Sequence, residues 1–575
     1  VRDIVRLTNL QSYGWTWVSL VVGGLSLTLP ALAQTNLAVQ YDFNGGGTGT
    51  LVPSLNNSNV DLTVTNVSTL AGVTQTFASG AFSTDPVTPS TNNQGANTTT
   101  YPALGGGNLT AGVQILLPTS SASGGFSNIV IRYDQRQSNA GSRFSQFQHT
   151  TNGTDYIAGP SFEAFLGDQF LTRTVDLSSI TAANNNANLA IRVLAQFDPA
   201  TGNYSAANPT STYAPGGTIR YDMVTAHRGF RWQGGSGTDI TTAANYQGGT
   251  APQPVDALLF GAGANTTVNV GTAQSVGPIV FQTGAPSYTI TGQALTISAG
   301  LANNSTNAQT ISAPLAYALN QTIQNNGQLL LNGNQDLATG VRVQVGGTGT
   351  TLVNGTVTNA GTAGRWQIGA GQTLGGIGTF SNTEVFIWNG RIRGGASNGT
   401  NNFGTLTVGG VANLDLEIQA APGNRGSTFL VEATRTAANT VNSSKIVVAG
   451  DATNDLELNG AGVAGNLYAI EVIAANLVNG ETYQLQVVTT PTGGIEEDGA
   501  SRTNGYVFPA GTYTLVSSNT AFVNPTLSVI SDLAGVGTDT LVLTFTASPV
   551  PEPTSVLALG GLSLAVAFWR RRRAV

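Results

Sequence analysis

The sequence predicts an all-β protein, and three observations carry that expectation. Glycine supplies 73 of the 575 residues, nearly twice its usual share of roughly 7%. Charged residues make up only 9% of the chain, against a typical ~25%, so the ion-paired surface of ordinary helices is missing. Hydrophobic residues still reach 40%, and they fall in short β-branched runs between Thr, Asn and Gly, the composition of strands joined by tight turns. At about 150 residues per domain, the length predicts three or four units unless a long solenoid is among them.

Composition also removes several chemistries. Cysteine is absent, which excludes disulfides, thiol nucleophiles and cysteine-ligated metals. Two histidines, His149 and His227, and one lysine, Lys445, leave little material for imidazole metal clusters, Schiff bases or phosphate loops. A formal charge of −7 offers no electrostatic footprint for nucleic acid, so no nucleic-acid partner is expected.

The two ends read as addresses. Residues 1–33 place Arg2 and Arg6 ahead of the apolar run Val18 to Leu29 and then Ala31-Leu32-Ala33, the layout of a secretory signal cut by signal peptidase after Ala33. At the other end, Pro551-Glu552-Pro553 precedes the apolar stretch Val556 to Trp569 and the run Arg570-Arg571-Arg572-Arg573. A helix over that stretch is short against a hydrocarbon core of about 30 Å, which favours transient over permanent anchoring in the inner membrane. The four arginines are expected to stay cytoplasmic, leaving the preceding domains outside. Removing both ends strips six arginines and two acids from 22 basic and 29 acidic residues, leaving −11.

Residues 548–575 resemble the PEP-CTERM sorting signal of Gram-negative bacteria in carrying a Pro-Glu-Pro motif, an apolar helix and an arginine cluster in that order. The resemblance implies recognition of Pro551, Glu552 and Pro553 by a membrane-embedded exosortase. It implies a cytoplasmic stop at Arg570, Arg571, Arg572 and Arg573, with release at the surface of a cell that makes exopolysaccharide.

Between the ends, residues 34–228 show short alternating strands such as Ile129-Val130-Ile131-Arg132-Tyr133 and Leu189-Ala190-Ile191-Arg192-Val193, which predict a two-sheet sandwich of jelly-roll type. The stretch "FSNIVIRYDQRQSNAGSRFSQFQHTTNGTDY" and the strands after it resemble extracellular jelly-roll domains of bacterial surface proteins, some related to carbohydrate-binding modules. From 229 to 420, strands of three to five residues recur at intervals of about 7 to 15 with turns at Asn332-Gly333, Asn354-Gly355 and Asn389-Gly390. Pattern alone allows hairpins or the corners of a parallel β-helix. The segments "AANYQGGTAPQPVDALLFGAGANTTVNVG" and "LGGIGTF" resemble the autotransporter-associated β-strand repeats, which implies the β-helix. Residues 421–547 keep strand character and are expected to continue the solenoid or cap it, since a solenoid end exposes unpaired backbone.

Few residues suggest chemistry. Asp415 and Glu417, at i and i+2 on one strand face, are the candidate carboxylate pair for glycoside hydrolysis, weighed against a solvated strand face or a salt-bridge ladder with Arg391 and Arg393. Glu496-Glu497-Asp498 is an oxygen-rich turn or a solvated loop. Asp42 and Asp222 stand at the two ends of the first domain, where related jelly rolls hold a structural calcium ion, and ordinary strand-end carboxylates beside Arg220 are the competing reading. His149 and His227 are expected on the surface or in turns, with no nucleophilic triad around either. The expected function is that of an exported, non-catalytic surface or matrix protein and exosortase substrate with no cofactor. The alternative is a carbohydrate-binding or polysaccharide-degrading secreted protein whose partner is extracellular polysaccharide.

Overall fold

A computed structural model describes residues 37–549. It leaves out the short segments 64–65, 88–89, 123, 165–166, 209, 264, 362–363, 396–402, 410–414, 420, 423–425, 450–454, 460–465, 492–493, 510–511, 518–519 and 532–538. The expected signal segment and the sorting tail, with the helices expected in both, lie outside the described residues. Among the described residues there is no α-helix, only strands and short 3-10 turns.

The first unit contains strands β1 (Leu37–Tyr41), β2 (Leu55–Asn56), β3 (Val67–Leu70), β4 (Thr74–Ser79), β5 (Gln94–Thr99), β6 (Gly112–Leu116), β7 (Val130–Gln137), β8 (Phe144–Thr150), β9 (Ile157–Glu163), β10 (Gln169–Asp176), β11 (Ala190–Gln196) and β12 (Ile219–His227). One sheet runs β10-β7-β12-β1-β2, with β5 beside β12 and β4 beyond it; the other runs β3-β6-β11-β8-β9. The neighbours are antiparallel, as in β7 with β12 and β8 with β11. Alternate residues of the two sheets enclose a core that includes Tyr41, Ile131, Tyr133, Phe147 and Ile191, with Tyr133 stacked on Phe147 at 6.3 Å.

Pairing changes from antiparallel to parallel after Gly229. Gly229–Trp232 pairs in parallel with Ala257–Phe260, which pairs with Ile279–Phe281, and the same succession forms two further sheets on the other sides of the column. Each coil contributes one short strand to each of three sheets. The irregular spacing within a coil therefore hides a regular repeat between coils: Asn354 Nδ2 donates to Asn332 Oδ1, and Thr358 Oγ1 to Asp336 Oδ1, each across 22 residues. Inward residues stack as like on like, as in Val268 over Ile290 and Phe260 on Phe281 at 5.3 Å between rings. At the Asn-Gly corners the stacked backbones come so close that no side chain fits. A Cβ on Gly355 would lie 2.3 Å from the carbonyl oxygen of Gly333.

Farther along, the coils widen. Gln419 reaches Asn459 and Asp455 reaches Asp415 across 40 residues, while the three sheets continue through Leu456–Asn459, Lys445–Ala449 and Asn466–Ala475. The region after 420 thus carries the same sheets onward. Its last coil is closed by an antiparallel hairpin, Thr520–Ser531 with Asp539–Pro549, laid on Thr482–Thr490.

The sandwich and the solenoid are packed side by side. Val130 on β7 joins Ala257, Leu259, Val280 and Ala302 in one buried cluster, and Leu171 on β10 joins Phe386 and Trp388 in another. Between these clusters, Thr172 N donates to Thr322 Oγ1 at 2.9 Å, Gln344 Nε2 to Gln169 Oε1 at 2.9 Å, and Gln282 Nε2 to Asp176 Oδ2 at 2.7 Å. Strands β7 and β10 are consequently buried on both faces, one against their own core and one against the solenoid. Leu259→Ala removes a fully buried side chain from this contact and is expected to cost about 2–5 kcal/mol. Urea unfolding followed separately in the two parts should show both transitions moving together; a shift confined to one would mean the contact does not couple them.

Candidate functional site

The carboxylates singled out in the sequence fall into two groups. Asp222 sits on β12 where the register with β7 slips, next to Met223, whose φ is 46°. It is fully buried, accepting the Met223 N–H on Oδ1 and the Ser83 hydroxyl on Oδ2, each at 2.7 Å. Its cross-strand partner Asp134 accepts Thr84 N and Oγ1 on one oxygen, and Thr172 Oγ1 and Arg132 on the other. Asp85 accepts Asn44 Nδ2 and Val87 N. Burial above all, with the charge of Asp85 adding, holds the Asp222 carboxyl well above the usual carboxylate range.

Strands β1 and β12 do meet, with Tyr41 opposite Val224, but the residues gathered around Asp222 are Ser83, Asp85 and Asp134. Asp42 lines a separate hollow of about 420 Å³ with Gly45, Val52 and Asn92, and its Oδ1 accepts Asn44 N. Every carboxylate oxygen of Asp222, Asp134 and Asp85 already has an N–H or O–H donor. Among the described residues no group of three or more His, Cys, Asp or Glu side chains is arranged to hold a metal.

The second group lies on the solenoid. Asp415 and Glu417 flank Leu416, whose side chain points into the column, so both face outward. Parallel pairing then sets Glu417, Glu457 and Glu496 in one line across successive coils. Arg365 is the cation at the head of this acidic face: it pairs with Glu384 and stands 4.0 Å from Glu417. Asn459 Nδ2 bridges Glu417 and Glu457, at 3.0 and 3.2 Å. Burial is the main cause that pushes Asp415 up to about 6 and Glu417 up to about 7, with neighbouring carboxylates adding to it.

The arginines expected to ladder with this pair are elsewhere. Arg391 reaches Glu471 at 3.2 Å, and Arg393 is buried against Glu432, because Arg391 lies on, and Arg393 directly follows, a strand of a different sheet of the coil. Glu496 and Glu497 end a strand rather than float in a loop; Glu497 is buried and accepts from Arg502 and the Tyr506 hydroxyl, and Asp498 takes the turn at φ 50°.

Both histidines are buried rather than exposed. His149 shares the inner face of β8 with Ser145 and Phe147, and the alternation "FSQFQHT" carries that signal. His227 donates Nδ1–H to the Val255 carbonyl at 2.8 Å, and burial lowers its pKa to about 3.

The described residues define the class of the fold: a parallel β-strand solenoid with an antiparallel sandwich docked along one of its faces. Against known proteins, residues 549–573 match the PEP-CTERM protein-sorting motif, which marks the chain for export and exosortase sorting. No curated protein matches the chain. The sorting residues Pro551, Glu552 and Pro553, the arginines Arg570 to Arg573, and Ala31 and Ala33 lie outside the described residues. No helix among the described residues is long and apolar enough to cross a membrane.

The acidic line gives a pH dependence of unusual sign. Folded pKa values raised above the unfolded carboxylate range of about 4 mean that the fold binds these protons more tightly than the unfolded chain. The associated stability is full below about pH 4 and is lost as pH rises through 6 to 7. Thermal unfolding should therefore occur at lower temperature at pH 8 than at pH 5. Glu417→Gln, which keeps an oxygen for Asn459, should flatten that slope; an unchanged slope in the variant would show that Glu417 does not carry it.

Proposed function

We propose that this protein is an exported, non-catalytic structural component of the surface or extracellular matrix of an exopolysaccharide-producing Gram-negative bacterium, delivered as an exosortase substrate. The sorting motif at 549–573 is the observation that carries the reading. Signal peptidase would cut after Ala33, reading Ala31 and Ala33. Val556 to Trp569 would hold the tail in the inner membrane, and Arg570 to Arg573 would stop transfer, since each arginine at the centre of a bilayer helix costs roughly 2.5 to 3.5 kcal/mol on insertion scales. Exosortase would then recognise Pro551-Glu552-Pro553 and free the folded domains outward.

Two finer assignments belong to the same reading. The sheet orders β5-β12-β7-β10 and β6-β11-β8-β9 support a jelly-roll assignment for the sandwich, in which successive strands alternate between two sheets except at the central β8–β9 hairpin. Coils of three strands repeating every 22 residues support kinship with the autotransporter-associated repeats. A calcium ion at Asp42 and Asp222 would have to displace donors that Asp222 already uses, so the reading gives that cluster a hydrogen-bonded structural role. The acidic line of Asp415 and Glu417 is assigned to the solenoid surface, because it continues as a row of like residues instead of isolating one acid and one base.

The test is the mass of the secreted protein. Cleavage near Pro551 predicts a product lacking the tail, and replacing Pro551, Glu552 and Pro553 by alanine predicts a precursor retained in the inner membrane. A secreted form still ending at Val575, or equal release of the alanine variant, would falsify the assignment.

A further inference from the structure

Along one edge of the contact between sandwich and solenoid runs a groove of about 610 Å³, within the range of pockets that hold organic ligands. Its solenoid wall carries Gln282, Asn304 and Asn326. These directly follow Phe281, Asn303 and Asn325, which are in register, so three amides form a column at the strand spacing of about 4.8 Å. The Asn326 Nδ2 to Asn304 Oδ1 hydrogen bond at 3.3 Å confirms the stacking. Gln324 and Thr283 stand beside the column, Ser161 and Ser179 face it from the sandwich, and Arg231 forms part of the wall.

The lining decides the ligand. Its acid, Asp176, is occupied by Gln282 and by the Ser178 N–H, and Arg231 supplies the balancing cation, so no net charge selects an ionic ligand. Phe162 and Val175 are buried beneath the surface, so the ligand meets amides and hydroxyls together with the exposed Pro160 and Ala262. On the solenoid wall a peptide strand has no edge to join, because Ile279–Phe281 is already paired on both sides; the sandwich wall is made by the edge strands β9 and β10. A ligand bearing hydroxyls at regular intervals matches the amide column.

We infer that this groove binds a short neutral oligosaccharide, on the order of two or three sugar units for a groove of this size, along the amide column. The inference gives a location to the carbohydrate-binding alternative and is independent of the sorting assignment. Isothermal titration of the secreted protein against cellotetraose, laminaritetraose and isomaltotetraose, with tetragalacturonate as the charged comparison, tests it. At least one neutral sugar should bind. The double variant Gln324→Ala with Asn326→Ala should weaken it by roughly tenfold or more, and Ser161→Trp, which fills the groove from the sandwich side, should abolish it, both with cooperative thermal unfolding retained. Absence of binding by all three neutral sugars, preference for the charged one, or wild-type affinity in both variants overturns the inference. None of these outcomes alters the mass of the secreted chain, so failure here and failure of the sorting reading are distinguishable.

Discussion

Everything in this molecule depends on parallel backbone pairing between successive coils. A coil of three short strands cannot bury its own apolar residues, and its N–H and C=O groups point along the column. Each coil is completed by the next, in register, at about 4.8 Å. In-register pairing places each side chain over its equivalent in the preceding coil. Inside, this is favourable for valine over isoleucine and for ring over ring. At corners it is favourable for amides: Asn303 Nδ2 donates to Asn325 Oδ1 at 2.9 Å, and Asn325 Nδ2 to Thr351 Oγ1 at 3.0 Å. A chain with few charges can be held this way, because the cohesion comes from backbone and amide hydrogen bonds plus apolar stacking. Surface ion pairs, which contribute roughly 0–1 kcal/mol each, are dispensable.

The all-β class was legible because composition reports it without any knowledge of partners. The coil repeat was present in the sequence yet concealed. Asn332-Gly333 and Asn354-Gly355 stand one full coil apart, but the intervals between neighbouring strands vary because the three corners differ in length. Only a comparison of every third strand exposes the period. The docking of the sandwich also left a trace. Ala257–Phe260 and Ile279–Phe281 are buried at every position, as expected of strands covered on both faces, whereas Thr267–Val270 alternates. Read strand by strand, "ALLF" and "IVF" mark the covered face, and two units in tandem become two units in contact.

The candidate sites were less legible, for a physical reason. Sequence spacing shows which residues share a strand face, as it did for Asp415 and Glu417. It does not show which residues a long-range register sets beside them. Glu384 comes alongside through a coil of 31 residues, and Glu457 and Glu496 through coils of about 40. Arg391 and Arg393 were drawn toward the same acids by proximity in sequence, and the corner at Asn389-Gly390 turns them onto another sheet. Asp222 likewise acquires its neighbours Ser83, Asp85 and Asp134 from a loop and a cross-strand partner remote in sequence.

One column of the docked sheet ties these features together. In register it reads Thr322, Gln344, Gln367, Phe386, Glu417, Glu457 and Glu496. The first two hydrogen-bond to the sandwich and Phe386 packs on Leu171, so this part of the column is polar but uncharged, or apolar. Beyond Phe386 every residue is a glutamate. Carboxylates are costly to bury without partners, and a sandwich slid further along the solenoid would have to cover three of them with Arg365 as the nearby cation. Sliding the other way would uncover Phe386 and Trp388. The position of the sandwich is therefore fixed from both directions, by apolar surface that must be covered and by charge that must not. That constraint also fixes the groove, since the register of β10 on the coils sets which amides of the solenoid face the serines of the sandwich.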